Sequence, residues 1–245
     1  MHTLFEFVTY TKSVEYLIAV GFLLLFVAFW RYINTSPVAA RRTATAPSLA
    51  SRLADYVGGF LVPDQTYFHP GHAWVRAESG DVLTVGIDDF GQKLVGKIDT
   101  LRLPKVGQRL SQGEPAWELG AAGEVFNMLS PVSGEVVEVN PNALWTPWVV
   151  NQDPFGDGWL LKVRTPRKTA TLRSLLGTDL AKRWIEDARA RLLVQPRHEN
   201  LGRVLADVGP ARDGIARALD NEHWGEIVRE FFLTAEDEHE TRSNP

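Results

Sequence analysis

The sequence WELGAAGEVFNMLSPVSGEVVEVN, residues 117–140, decides the fold of this chain. Two apolar runs, residues 116–119 and 125–129, flank a Gly-Ala-Ala-Gly segment at 120–123. This pattern predicts two strands joined by a tight turn, because glycine adopts positive φ without steric cost. A second turn is predicted at residues 130–134, and residues 106–114 have a similar spacing of glycines and apolar residues. Repeated short strands separated by Gly, Pro and Ser predict a small, flattened β-barrel or sandwich.

Five segments between residues 67 and 163 resemble, in the same order, the glycine cleavage system H protein family, whose members have the biotinyl/lipoyl carrier fold. They are GHAWVR at 71–76, VGIDDFGQ at 85–92, LPKVG at 103–107, SPVSGEVVEVN at 130–140 and VNQDPFGDGWLLKV at 150–163. The resemblance implies a carrier whose lipoate is attached to a lysine at the hairpin tip. That lysine precedes by eight positions the proline that matches Pro131, so Gly123 occupies its place here.

The hairpin region offers no substitute for this lysine, since the interval from residue 106 to residue 161 contains none. Lipoylation needs a primary amine at an exposed tip, and glycine has no side chain. The sequence therefore predicts a member of the family that carries no lipoyl group, and no other cofactor is predicted.

Composition excludes several other functions. The 245 residues include 26 basic and 30 acidic side chains, so no overall basic field indicates nucleic-acid binding. The chain has no cysteine, which excludes disulfides, thiolate metal sites and cysteine nucleophiles within it.

His69 and His72 lack nearby acidic or cysteine ligands, so no metal site is predicted, and His72 is expected to form a structural hydrogen bond. No catalytic motif is present, and the chain is predicted not to be an enzyme.

The amino-terminal sequence predicts a membrane anchor. Residues 16–30 have no charged side chain, and residues 14–33, at about 1.5 Å per residue, match the ~30 Å thickness of the hydrocarbon core. A cleavable signal peptide is the alternative, because Val-Ala-Ala at 38–40 has the small residues of a cleavage site. Basic residues follow the uncharged run that ends at residue 30, which predicts a single-pass inner-membrane protein with its amino terminus outside and its globular part in the cytoplasm. These are Arg31, Arg41, Arg42 and Arg52.

The predicted fold class is mainly β with helical additions, and the chain divides into five parts. They are residues 1–33 with the transmembrane helix, the linker and the segment entering the barrel at 34–63, the lipoyl-type β domain at 64–166, an α-helical extension at 167–233 and a polar, disordered tail at 234–245. Within the β domain, residues 88–96 predict a short helix with Asp88 as its amino-terminal cap. In the extension, residues 199–208 predict one of several amphipathic helices.

The predicted function is docking within a larger membrane complex, such as a redox or energy-converting one. Aromatic and sulfur-containing side chains near the hairpin and in the loop after it favour a protein interface, although the two tryptophans are equally suited to covering one end of the barrel. The candidate interface residues are Gly123, Phe126, Met128, Trp145 and Trp148. Two other functions stay open: a lipoyl carrier in glycine cleavage or a related pathway, and an enzyme with a noncovalent ligand in the barrel.

Overall fold

The computed structural model describes residues 18–27, 29–30, 55–194 and 211–234, which belong to two compact units, residues 1–47 and 48–245. In the first unit, residues 18–27 and 29–30 are helical, with their large apolar side chains exposed. Among the described residues, no helix is both long and apolar enough to span a bilayer. The remainder of the predicted span at 14–33, the predicted cleavage site, the linker up to residue 54 and the tail from residue 235 lie outside the described residues.

The second unit is mainly β, as predicted. A two-stranded hairpin consists of β1 (Tyr56–Val57) and β2 (Phe60–Leu61). The other strands are β3 (Tyr67–His69), β4 (Ala73–Ala77), β5 (Val82–Ile87), β6 (Thr100–Arg102), β7 (Arg109–Leu110), β8 (Pro115–Ala121), β9 (Glu124–Leu129), β10 (Gly134–Val139) and β11 (Leu161–Arg164). One antiparallel sheet has the order β3-β4-β5-β11-β10-β7, and the other has the order β6-β8-β9. The two sheets share one hydrophobic core, as in a sandwich.

Seven helices of the second unit are described. They are α1 (Asp89–Val95), α2 (Pro141–Trp145), α3 (Val149–Gln152), α4 (Lys168–Arg173), α5 (Thr178–Val194), α6 (Ile215–Leu219) and α7 (Trp224–Phe231). The predicted cap is confirmed, because the Asp88 carboxylate accepts a 2.7 Å hydrogen bond from the Gly91 backbone N–H. The predicted helix at 199–208 lies outside the described residues.

The structure adds detail to two parts of the predicted domain division. Residues 56–61, assigned to the linker and entering segment, form the β1–β2 hairpin, because Gly58 and Gly59 both adopt the positive φ of a tight turn. The helical extension does not have a core of its own. Phe231 and Phe232 of the extension are buried in the same core cluster as the strands, so the helices complete the β domain.

A buried His72–Asp88 pair shows how this shared core is built. The imidazole Nδ1 lies 3.0 Å from the Asp88 carboxylate that also caps α1. The ring stacks on Phe90 at 4.5 Å and on Trp184 at 4.6 Å between ring centroids. His72 therefore joins the start of β4 to α1 and α5, which agrees with the predicted structural hydrogen bond.

Candidate functional site at the β8–β9 hairpin

The hairpin of β8 and β9 ends in a two-residue turn. The strands pair as far as Ala121 and Glu124, and Ala122 and Gly123 form the turn with φ of 48° and 88°. Positive φ at both positions is typical of a type I′ turn, whose twist matches that of the flanking strands. The turn is shorter than predicted because Gly120 belongs to β8. A Cβ there would lie 2.2 Å from Thr100 Oγ1, so glycine lets β6 approach β8 closely.

The tip is anchored on one side and open on the other. The backbone N–H of Ala122 donates to the Asp99 carboxylate at 3.2 Å, and the Asp99 N–H donates to the Gly120 carbonyl at 2.8 Å. A Cβ built at Gly123 would meet no atom within 4 Å. A side chain at position 123 would therefore point into open space, although the backbone there favours glycine.

The side-chain amine of Lys97 lies near the tip. Lys97 precedes the lysine-free interval of residues 106–161 that was counted across the hairpin. Lys97 Nζ is 3.9 Å from Asp99 Oδ1, and Lys97 and Ala122 line a cavity of about 460 Å3. Burial raises the pKa of Asp213 in this cavity, while the positive charge of Lys93 opposes that shift. The connection before β6 brings Lys97 to the hairpin, so counting lysines between the hairpin strands could not reveal it.

The interface prediction for Phe126 and Met128 is wrong with respect to exposure. Phe126 is 1% exposed and Met128 is fully buried. Trp224 of α7 meets the Phe126 ring edge-on at 5.2 Å between centroids, and Phe232 does so at 6.3 Å. The carboxy-terminal helix of the same chain thus covers the apolar face on which a partner was expected to dock. The amphipathic spacing of residues 224–232 was the available signal, but it does not identify the surface that the helix covers.

A polar contact fixes the same helix to the strand that follows the tip. Arg229 donates to the Glu124 carboxylate at 2.9 Å, and its guanidinium lies 5.3 Å from the centroid of the Phe126 ring. Because both charged groups are partly exposed, the ion pair contributes at most about 1 kcal/mol. Its main effect is positional, since it holds α7 next to the residue that follows Gly123.

Unlike Phe126, Trp145 and Trp148 are accessible. Trp145 is 87% exposed and Trp148 is 43% exposed, so Trp145 does not cover an end of the barrel. The segment is held in place at its start, where the Asn140 amide donates to the carbonyls of Asp157 and Trp159 at 2.8 and 2.6 Å. Leu144 is also exposed beside them, and these three side chains are called the tryptophan patch below.

The histidines of the β domain do not assemble a metal site. Within the described residues, no three His, Cys, Asp or Glu side chains are grouped so that they could hold a metal ion. The Gly71 N–H donates to His69 Nδ1 at 3.0 Å. Burial lowers the pKa of His69, and the neighbouring His72 adds to this effect.

The strained tip gives a test of the turn geometry. Replacing Ala122 by asparagine should raise the free energy of unfolding by about 1 kcal/mol, since asparagine tolerates the left-handed conformation that alanine avoids. Urea unfolding of both proteins would measure the change. Ala77→Asn is the control, because Ala77 is exposed on a strand without positive φ and should give no gain. Equal or lower stability of Ala122→Asn would contradict the turn assignment.

Comparison with known proteins identifies the family. The family model described as "Glycine cleavage H-protein" matches residues 66–188, half of the chain. This chain belongs to the glycine cleavage H-protein family. A second family model, described only as "Protein", matches residues 1–34.

Several H-protein relatives are similar to part of the chain. The glycine cleavage system H protein of Rubrobacter xylanophilus is 43% identical over 103 residues, which cover 42% of this chain and 81% of the relative. That of Mycobacterium tuberculosis is 35% identical and covers 49% and 90% of the two chains. The crystal structure of an H protein from Mycobacterium marinum has 28% identity and a TM-score of 0.45, covering 51% of this chain and 98% of that one.

Family membership clarifies two points about the site. H proteins are carriers and not catalysts, which agrees with the expectation that this chain is not an enzyme. The matched region of the H-protein model ends at residue 188, so α7, which covers Phe126, lies outside it. In this H-protein family member, the hairpin is therefore covered by a helix from an additional carboxy-terminal segment.

Proposed function

We propose that this H-protein family member is a non-lipoylated docking subunit, anchored in the membrane by its amino-terminal segment and bound to a larger membrane complex. The tip of the hairpin carries this proposal. Its two turn residues are Ala122 and Gly123, neither of which offers an amine for lipoylation. Because α7 contacts the strand next to this turn, the chain presents a fixed hairpin end where a lipoyl carrier would present a mobile arm.

Docking is supported by the tryptophan patch. Large aromatic side chains contribute most strongly to protein interfaces, and an exposed cluster of them is uncommon on a protein without partners. The patch belongs to a segment held by hydrogen bonds from the Asn140 side-chain amide to backbone carbonyls, so binding would not require ordering of a loose loop. Gly123 at the open tip could lie against the same partner, whereas Phe126 lies beneath α7 and Met128 is buried.

Anchoring in the membrane is supported by the apolar sequence of residues 16–30, part of which is helical with exposed side chains. The arginines that follow this sequence favour an orientation with the amino terminus outside and the β domain in the cytoplasm. Inner-membrane attachment would keep the docking surface close to membrane subunits. A redox or energy-converting complex is the class of partner proposed.

A lipoyl carrier is the second candidate function, because the relatives that match this chain are named glycine cleavage system H proteins. Lys97 gives this alternative a specific site, since it is an exposed amine beside the hairpin tip. A lipoyl group there would sit on the connection before β6 and not on the turn between β8 and β9.

Intact-mass measurement of the full chain, purified from native membranes in mild detergent, separates the two functions. We expect the unmodified mass, together with stoichiometric co-purification of membrane subunits. A mass increase equal to one lipoyl group would support the carrier, and its loss in Lys97→Arg would assign the position. Migration of the chain alone, unmodified and without partners, would contradict docking.

A further inference from the structure

A cavity of about 830 Å3 lies at the base of the β8–β9 hairpin, away from its tip. Residues preceding β8 and following β9 line one side of it, and the segment between β11 and α4 lines the other. Arginines project from three places around it. They are Arg109 on β7, Arg164 at the end of β11 and Arg167 immediately before α4.

The donors in this cavity are unoccupied. None of the three guanidinium groups has a hydrogen-bond or ion-pair partner within the described part of the chain. Thr165, between Arg164 and Arg167, is 2% exposed and lines the cavity, yet its hydroxyl is also without a hydrogen-bond partner there. The three arginines are exposed, so their N–H donors are free to form hydrogen bonds with a ligand in the cavity.

Two carboxylates in the cavity limit the charge of that ligand. Glu135 on β10 pairs in register with Arg109 on one side and with Arg164 on the other, across strands about 4.8 Å apart. Asp81 also lines the cavity, and its backbone carbonyl accepts a 2.9 Å hydrogen bond from the Thr165 N–H. Three cations against two anions leave one excess positive charge, which suits a singly charged anion better than a dianionic phosphate.

We propose that this cavity binds a carboxylate group, held by the guanidinium groups of Arg164 and Arg167 and by the Thr165 hydroxyl. The planar fork of arginine matches the two oxygens of a carboxylate, and charge-assisted hydrogen bonds are the strongest that these groups form. The carboxylate belongs either to a free organic acid or to an acidic side chain of a polypeptide. This site does not depend on the docking function, since it lies at the other end of the hairpin.

The test uses the full chain in mild detergent and a fluorescein-labelled hexaglutamate peptide, followed by anisotropy, with glutarate and inorganic phosphate as competitors. Each of Arg164→Gln and Arg167→Gln should weaken peptide or glutarate binding about tenfold or more, since each removes charge-assisted hydrogen bonds. Arg173→Gln is the matched control. It removes the same charge from the last turn of α4, outside the cavity, and should change binding less than twofold.

Competition identifies the source of the carboxylate. Saturable binding of glutarate that displaces the peptide would indicate a free organic acid, and peptide binding that glutarate does not displace would indicate a polypeptide segment. The proposal is overturned if neither probe binds saturably, if Arg173→Gln weakens binding as much as the cavity variants, or if phosphate competes better than glutarate. Thermal unfolding of each variant checks that these exposed substitutions leave the fold intact.

Discussion

Replacing Phe126 by alanine is expected to lower the free energy of unfolding by about 3–5 kcal/mol. The ring is buried between β9 and the carboxy-terminal helices, where it contacts Trp224 and Phe232 and lies under the Arg229 guanidinium. Its removal leaves a cavity that these large side chains fill only in part. Urea unfolding followed by circular dichroism would measure the loss.

Val125→Ala provides the control for this experiment. Val125 is the preceding residue of β9, and its side chain is 55% exposed on the opposite face of the strand. Truncation there should change the free energy of unfolding by about 0.5 kcal/mol or less. If Phe126→Ala kept full stability but lost co-purified partners, Phe126 would be an interface residue, and the packing of α7 on the hairpin would be in doubt.

Phe126 also shows which feature of the fold the sequence does not predict: the element that covers an apolar strand face. The apolar run at residues 125–129 correctly predicted a strand, in which successive side chains point to opposite faces. The element that covers the apolar face comes from far along the chain, since Glu124 and Arg229 are separated by 105 positions. No local pattern specifies such a pairing, so an apolar face buried within the chain resembled a docking surface.

Features set by neighbouring residues were predictable, and those set by distant contacts were not. The capping of α1 joins Asp88 to Gly91, only three positions further along the chain, and was predicted correctly. Gly120 looked like a turn residue, yet it lies in β8. The position requires glycine because Thr100 of β6 occupies the space that a Cβ would need. The tip itself was located within two residues, since only Ala122 and Gly123 take positive φ there.

Replacing Trp145 by aspartate is expected to abolish co-purification of the membrane partner while leaving the fold intact. The ring is 87% exposed, so the free chain loses little packing when it is removed. In a complex, a buried central tryptophan contributes about 2 kcal/mol or more, and an unpaired carboxylate in its place adds a desolvation cost. Affinity should therefore fall at least about thirtyfold. Quantitative co-purification from native membranes, with thermal unfolding in parallel, would measure both effects.

Val106→Asp separates a specific interface from a general effect of added charge. Val106 is an exposed apolar residue outside the tryptophan patch, so the same substitution should leave the partner bound. Trp145→Phe should retain most of the affinity, because an aromatic ring can still fill a pocket on the partner. Equal loss in Trp145→Asp and Val106→Asp would indicate a nonspecific charge effect. Unchanged co-purification in Trp145→Asp would show that the tryptophan patch is not the docking surface, because a buried aspartate at its centre could not be tolerated.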